Sequence, residues 1–325
     1  MRRLSLPLFI TALTAFTAAA PADTMPEASW HILAADSSTH RIAVVKADGT
    51  VLWQRKIGDI HDLHLLPNGN ILFQDSMTHL LEVTPGTDGQ PDKVVWEYDA
   101  GKMNGNEEKK VQVHSFQRLP DGSTMICESG IGRLIEVDHD GKIVHQLKFK
   151  LNHPSVHSDT RLARKLDNGH YLISHEADGA VREYDADGNV VWEYDVPMFG
   201  REPAGGHGPE AFGNHTFSAL RLPTGNTLIA TGNGHSLLEV TPEKNIVWSL
   251  TQDELPGIQL AWVTTIQLMP NGHIVFGNCH ATEKNPQIIE IDKDKHVIWT
   301  YKDFKTFGNA LSNSEILPDG SGPKG

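Results

Sequence analysis

A turn of the type Leu-Pro-Asn-Gly returns six times along the 325 residues, and no other feature of this sequence restricts the fold as much. It stands at Leu66–Gly69, Leu119–Gly122, Leu166–Gly169 (Asp167 replacing proline), Leu222–Gly225, Met269–Gly272 and Leu317–Gly320, with its glycines 47 to 56 residues apart. Each of the first five turns is followed by a β-rich run, a second run ending in a pattern like Leu-Glu-Val, a short Gly or Asp turn, and a third run with an aromatic position. Those positions are Trp96, His145, Trp192, Trp248 and Trp299, and Trp53 is an upstream sixth. Short alternating apolar runs between Pro-Gly, Asn-Gly and Asp-Gly turns read as antiparallel strands. A unit of about 50 residues with four strands is the pattern of a propeller blade. The expected fold is all-β: one six-bladed β-propeller of four-stranded antiparallel blades over residues 23–325.

The two ends of the chain fit the same scheme. The sixth turn arrives one strand into a blade, and Trp30–Asp36 aligns with Gly69–Asp75. The N-terminal segment is therefore expected to supply the second to fourth strands of a blade whose first strand, near Leu311–Leu317, comes from the C-terminus. Such pairing closes the ring and removes two exposed sheet edges.

Residues 1–22 carry Arg2 and Arg3, an apolar run from Leu6 to Ala20 and the triplet Ala20-Pro21-Ala22, the layout of a secretory signal peptide. The expectation is cleavage after Ala22 and a periplasmic or secreted mature protein with no membrane-inserted segment. With 28 Lys and Arg against 41 Asp and Glu, and no basic cluster, nucleic acid is excluded as a partner. Cys127 and Cys279 fall three blades apart in a ring of six, too far for a disulfide, so both are expected to be free thiols.

The segment Asp185–Trp192, Asp-Ala-Asp-Gly-Asn-Val-Val-Trp, and more loosely Asp48–Trp53, resembles the repeats of bacterial PQQ-like propeller proteins. The turn and strand at Leu222–Ile229 resemble those of six-bladed arylsulfotransferases. The first resemblance implies the propeller but not the quinone cofactor, because the adjacent cysteines that flank PQQ in the dehydrogenases are missing here. The second implies a transiently sulfated histidine with histidine and arginine beside it, without a residue-by-residue match.

Topology locates the chemistry. First strands line the channel and pair with second strands through the recurrent turn, so first-strand starts and second-strand ends share one face. Counting back from the turn glycines gives His61, His114 and Arg161, with His157 and His215 slightly further back. Counting forward gives Asp75, Glu128, His175, Glu176, Asn233 and His280. The insertion at 197–214 reaches the same face with Gly205-Gly206-His207-Gly208, whose glycines allow a close approach to a ligand.

Three functions are compatible with such a mouth. In the first, His61, His114, His157 and His215 hold Mn, Fe, Zn or Cu; Arg161 anchors an anionic group; and His114, Glu128 and His175 take part in the chemistry of a lyase or hydrolase. Asp75, Glu176, His207, Asn233 and His280 would then bind a small polar substrate, carbohydrate acids being the leading class. The second is a sulfuryl transferase with a histidine nucleophile. The third is a non-catalytic propeller binding a ligand or a protein.

Overall fold

The computed structural model describes residues 30–86, 90–317 and 320–323. The signal-peptide reading of residues 1–22 lies outside the described residues.

Six four-stranded antiparallel sheets follow one another around a ring. Blade 1 joins the two chain ends: Leu311–Leu317 is its inner strand, followed outward by His31–Asp36, Arg41–Lys46 and Val51–Lys56. The closing pair is antiparallel, with His31 opposite Leu317 and Ala34 opposite Ser314, as the repeat alignment requires. The inner strands of blades 2 to 6 begin at Leu63, Gln112, Ala163, Ser218 and Trp262. Among the described residues the only helical element is one short 3-10 turn, Gln252–Glu254, and no helix is long and apolar enough to cross a membrane.

The recurrent turns owe their sequence to backbone conformation. In the first five the glycine has φ between 82° and 89°, a region closed to residues with a Cβ except at a cost. The Leu-Glu-Val signature marks a second repeated device. In blades 2 to 6 the register between third and fourth strands shifts at the Glu or the residue after it, directly beside the pairing with the aromatic position, as at Glu82 and Trp96. Blade 1 has the same bulge at Val44, opposite Trp53. A bulge strengthens twist, which a propeller blade needs from its innermost to its outermost strand.

The aromatic positions then join neighbouring blades. The indole N–H groups of Trp96, Trp192 and Trp248 donate to the carbonyls of His139, Pro242 and Lys293, each in the next blade, at 2.9 to 3.1 Å. Between blades lie apolar layers such as Leu33, Ile42 and Val44 of blade 1 against Ile71, Phe73 and Leu81 of blade 2. Each such fully buried side chain contributes about 1.5–3 kcal/mol. Cys127 and Cys279 are buried, unpaired thiols in blades 3 and 6.

Candidate functional site

The expected face exists. A pocket of about 190 Å³ opens at one mouth of the channel, and His61, His157, Arg161, His207, Trp262 and His280 are among the residues lining it. His61, His157 and Arg161 precede the inner strands of blades 2 and 4, Glu176 and His280 follow second strands, and His207 descends from the 197–214 insertion. That volume is room for roughly six waters at about 30 Å³ each, so an occupant is smaller than a drug-sized ligand.

Arg161, 4% exposed, organises one wall. Its guanidinium pairs with Glu176 through Nε and donates through Nη1 to the backbone carbonyl of His157 and to Nδ1 of His114, the last at 2.6 Å. Gln112 Oε1 accepts from His114 Nε2 at 3.1 Å and from His157 Nδ1 at 2.9 Å. This network fixes His114 as a neutral tautomer with both nitrogens used. His61 stacks on His114, ring centroids 4.7 Å apart and 11° from parallel. Burial, and after it the Arg161 guanidinium, push both imidazoles well below their ordinary value, so they are uncharged at neutral pH. His157 and His280 are lowered too, first by burial and then by Arg161 and His207 respectively.

The opposite wall is Trp262, with His207 stacked at 6.2 Å and His215 edge-on at 6.1 Å. Three lining residues hold polar atoms that are buried with no hydrogen-bond partner: both ring nitrogens of His61, Nε1 of Trp262 and Oγ1 of Thr264. Thr264 is 1% exposed, and its hydroxyl sits where a Cβ on Gly277 would come within 2.2 Å, so glycine is required there. Buried orphans of this kind cost about 1–3 kcal/mol each, and native folds keep few without a use.

Just below the pocket lies a second polar cluster of opposite character. Asp62, fully buried, accepts from Arg164 at 2.8 and 3.0 Å, from Ser115 Oγ at 2.8 Å and from the amides of Leu63 and Phe116 at 3.0 and 3.2 Å. Asn313 reaches it from blade 1, so blades 1 to 4 meet at one carboxylate. Burial opposes its charge, but Arg164 and His64 outweigh that and hold the carboxyl well below the usual range.

Several expectations need correction. The four histidines assigned to a metal do not form a centre: among the described residues no group of three or more His, Cys, Asp or Glu is placed to hold a metal ion. His114 has no free lone pair, Arg161 puts a positive charge against the same rings, and His215 turns toward Glu176 at 3.4 Å. Glu128 is a strut within blade 3, paired with Arg133 at 2.5 Å and Asn106 at 2.9 Å. His175 is a core histidine with both nitrogens bonded, to the Asp159 carbonyl at 2.7 Å and the Tyr184 hydroxyl at 2.9 Å. Asp75 binds His79 at 2.9 Å, and Asn233 accepts from the amide of His215 at 3.1 Å; neither lines the pocket. Glu176, His207 and His280 do.

Trp262 is the lining residue that counting from the turns passed over. It opens the inner strand of blade 6 opposite Cys279, and the register shifts between Val263 and Ile266, so a count from the turn glycine does not carry across to it.

The comparisons with known proteins agree with the fold. A protein of unknown function from Bacteroides caccae superposes with a TM-score of 0.69 at 21% identity, over 87% of this chain and 97% of that one. Catalytically inactive virginiamycin B lyase from Staphylococcus aureus, solved with quinupristin, superposes at 0.55 and 11% identity, over 87% and 88% of the two chains. A 6-phosphogluconolactonase assignment in Bacteroides uniformis, itself described as putative, gives 0.54 and 10%, over 89% and 84%. At these identities the likeness is one of fold alone. No curated protein matches the sequence. A family model does: it covers residues 38–301, nearly the whole described ring, and on that match the chain belongs to the PQQ-like propeller family described as outer membrane protein assembly factor BamB.

Proposed function

We propose that this is an exported binding propeller whose channel mouth holds one small polar or singly anionic ligand, with carbohydrate acids as the leading class. The observation that carries the reading is the set of unpartnered polar atoms on His61, Thr264 and Trp262 around a pocket that also contains Arg161. Hydroxyl groups match such atoms because each can donate and accept, and a carboxylate matches the guanidinium. Glu176 already balances the charge of Arg161, which favours one negative charge on the ligand over two. Export is supported by the N-terminal segment and by the outer-membrane role in the family's description.

A second reading, proton transfer on the bound molecule, draws on the His215–Glu176 contact at 3.4 Å, where an exposed imidazole meets a buried carboxylate beside the pocket. It adds chemistry to the same site and needs no metal.

The test is thermal unfolding of the mature protein with D-glucuronate, D-galacturonate, D-glucose and an aryl sulfate. A ligand at about a hundred times its Kd stabilises the fold by about 2.7 kcal/mol, a rise of several degrees in Tm. The expected result is a rise with a sugar acid and a smaller one with glucose. No rise with any sugar removes the proposal, and a histidine carrying a covalent sulfuryl group after exposure to the aryl sulfate replaces it with the transferase reading.

A further inference from the structure

The 197–214 insertion has two sides. His207 faces the channel mouth, while Phe199, Arg201 and Phe212 belong to a different cavity, about 530 Å³, between the insertion and the outer part of blade 5. We propose that this outer cavity is a second binding site, for a small monocarboxylate bearing a flat apolar group, such as an arylacetate.

Four observations support that chemistry. Phe199 is 60% exposed and has φ of 49°, so the chain bears a strained backbone and a solvated aromatic ring at one residue. The turn that carries Phe199 is closed by the Arg201 amide donating to the Met198 carbonyl at 3.0 Å, which holds the left-handed backbone in place and leaves the ring in solvent; residues in this conformation collect at ligand clamps. A flat apolar group lying against the ring would recover the burial.

Arg201 lies over the face of Phe212, 3.4 Å from guanidinium carbon to ring centroid. Among the described residues no acid lies within ion-pair distance of it, in a protein where acids outnumber Lys and Arg by 41 to 28. A guanidinium held by an aromatic face with its edge left over is arranged to take a carboxylate.

His235 also lines the cavity. It is 5% exposed, has φ of 55°, and its Nε2 is buried without a partner. Its ring stands edge-on to Phe212 at 6.1 Å, so an acceptor near Arg201 is within the same small region as this nitrogen. Two residues with left-handed backbones therefore converge on one cavity from different segments.

Finally, Asp253 is the one acid among the residues lining the cavity. It opposes a second negative charge, which selects a monoanion over phosphate or a dicarboxylate. The volume falls within the usual 300–1,000 Å³ of small-molecule pockets, and Leu260 adds apolar surface opposite the loop.

This site is independent of the mouth. Its test is calorimetric titration of the mature protein with phenylacetate, phenethylamine and methylphosphonate, repeated on Arg201→Gln, Phe199→Ala and the mouth variant Thr264→Val. Phenylacetate should bind, phenethylamine and methylphosphonate at least tenfold more weakly. Arg201→Gln should weaken phenylacetate at least tenfold and Phe199→Ala several-fold, both with unchanged Tm because the two side chains are exposed. Thr264→Val should leave phenylacetate binding unaltered. Phenethylamine binding as tightly as phenylacetate, undiminished binding by Arg201→Gln, or no phenylacetate binding at millimolar concentration would each overturn the proposal.

Discussion

The channel holds two buried clusters of charged and polar side chains, one above the other, and they solve the problem of burial in opposite ways. Around Asp62 every strong group has a partner: the carboxylate takes bonds from Arg164, Ser115 and two backbone amides. Around Arg161 the charge is balanced by Glu176 and His114 is saturated, yet His61, Trp262 and Thr264 are left with orphaned polar atoms beside a cavity. The lower cluster ties blades together. The upper one keeps hydrogen-bonding capacity in reserve, and that difference, rather than residue type or burial, separates a strut from a site.

The largest effect expected from breaking this contrast is at the strut. Asp62→Ala removes the carboxylate paired with Arg164 and the acceptor of the Leu63 and Phe116 amides, and should cost about 3 kcal/mol, as loss of one member of a buried pair does. A urea titration followed by tryptophan fluorescence reads it as a lower midpoint at unchanged slope.

Acid comes next, and it strikes the two levels at different pH. The mouth-side histidines have lowered values, so the unfolded chain binds more protons than the native one below about 6.5 and stability falls as pH falls. His175, pushed down to about 4 first by burial and then by Arg182, alone removes about 2 kcal/mol between pH 6.5 and 5. Asp62 is depressed as a carboxylate, so its contribution is intact above about pH 4 and is lost only below that. Urea midpoints measured from pH 7 to 3 should therefore show a decline starting near 6.5 and a second, steeper one below 4. A flat profile down to pH 4.5 contradicts the neutral-histidine account.

A smaller change of opposite sign sharpens the comparison. Thr264→Val keeps the shape and removes a buried hydroxyl that has no partner, so the protein should gain about 1 kcal/mol. Ser115→Ala removes a hydroxyl that donates to Asp62 and accepts from the Ala163 amide, and should destabilise. If both substitutions destabilise equally, the mouth is another strut.

The smallest effect is chemical. Alkylation should find Cys127 only after denaturation, since it is fully buried, whereas Cys279, 5% exposed and lining the mouth pocket, should react slowly in the native protein because burial raises its thiol far above the ordinary value.

Blade number, ring closure and which residues share one mouth of the channel were all legible in the spacing of the turns, because a propeller fixes each residue's height once its distance from a turn glycine is known. His61, His157, Arg161, Glu176 and His280 line the pocket at the heights that count gives, and His207 reaches it from the 197–214 insertion. The count could not tell which nitrogens were already engaged. Gln112, which belongs to no motif, consumes the donors of two histidines that read as metal ligands, and Tyr184 with the Asp159 carbonyl does the same to His175. Glu128 read as chemistry because its partner Arg133 comes from the next strand, and pairing across strands is invisible to distance along the chain.

The most direct test of the central claim is calorimetric titration of D-glucuronate into the wild-type protein and into a Trp262→Phe, Thr264→Val double variant. Both substitutions remove a buried orphan; Thr264→Val keeps the shape, while Trp262→Phe gives up part of the ring that packs on His207 and His215. The account predicts binding to the wild type and an affinity at least tenfold weaker in the variant, with cooperative unfolding retained. Equal affinity in the two proteins would contradict it.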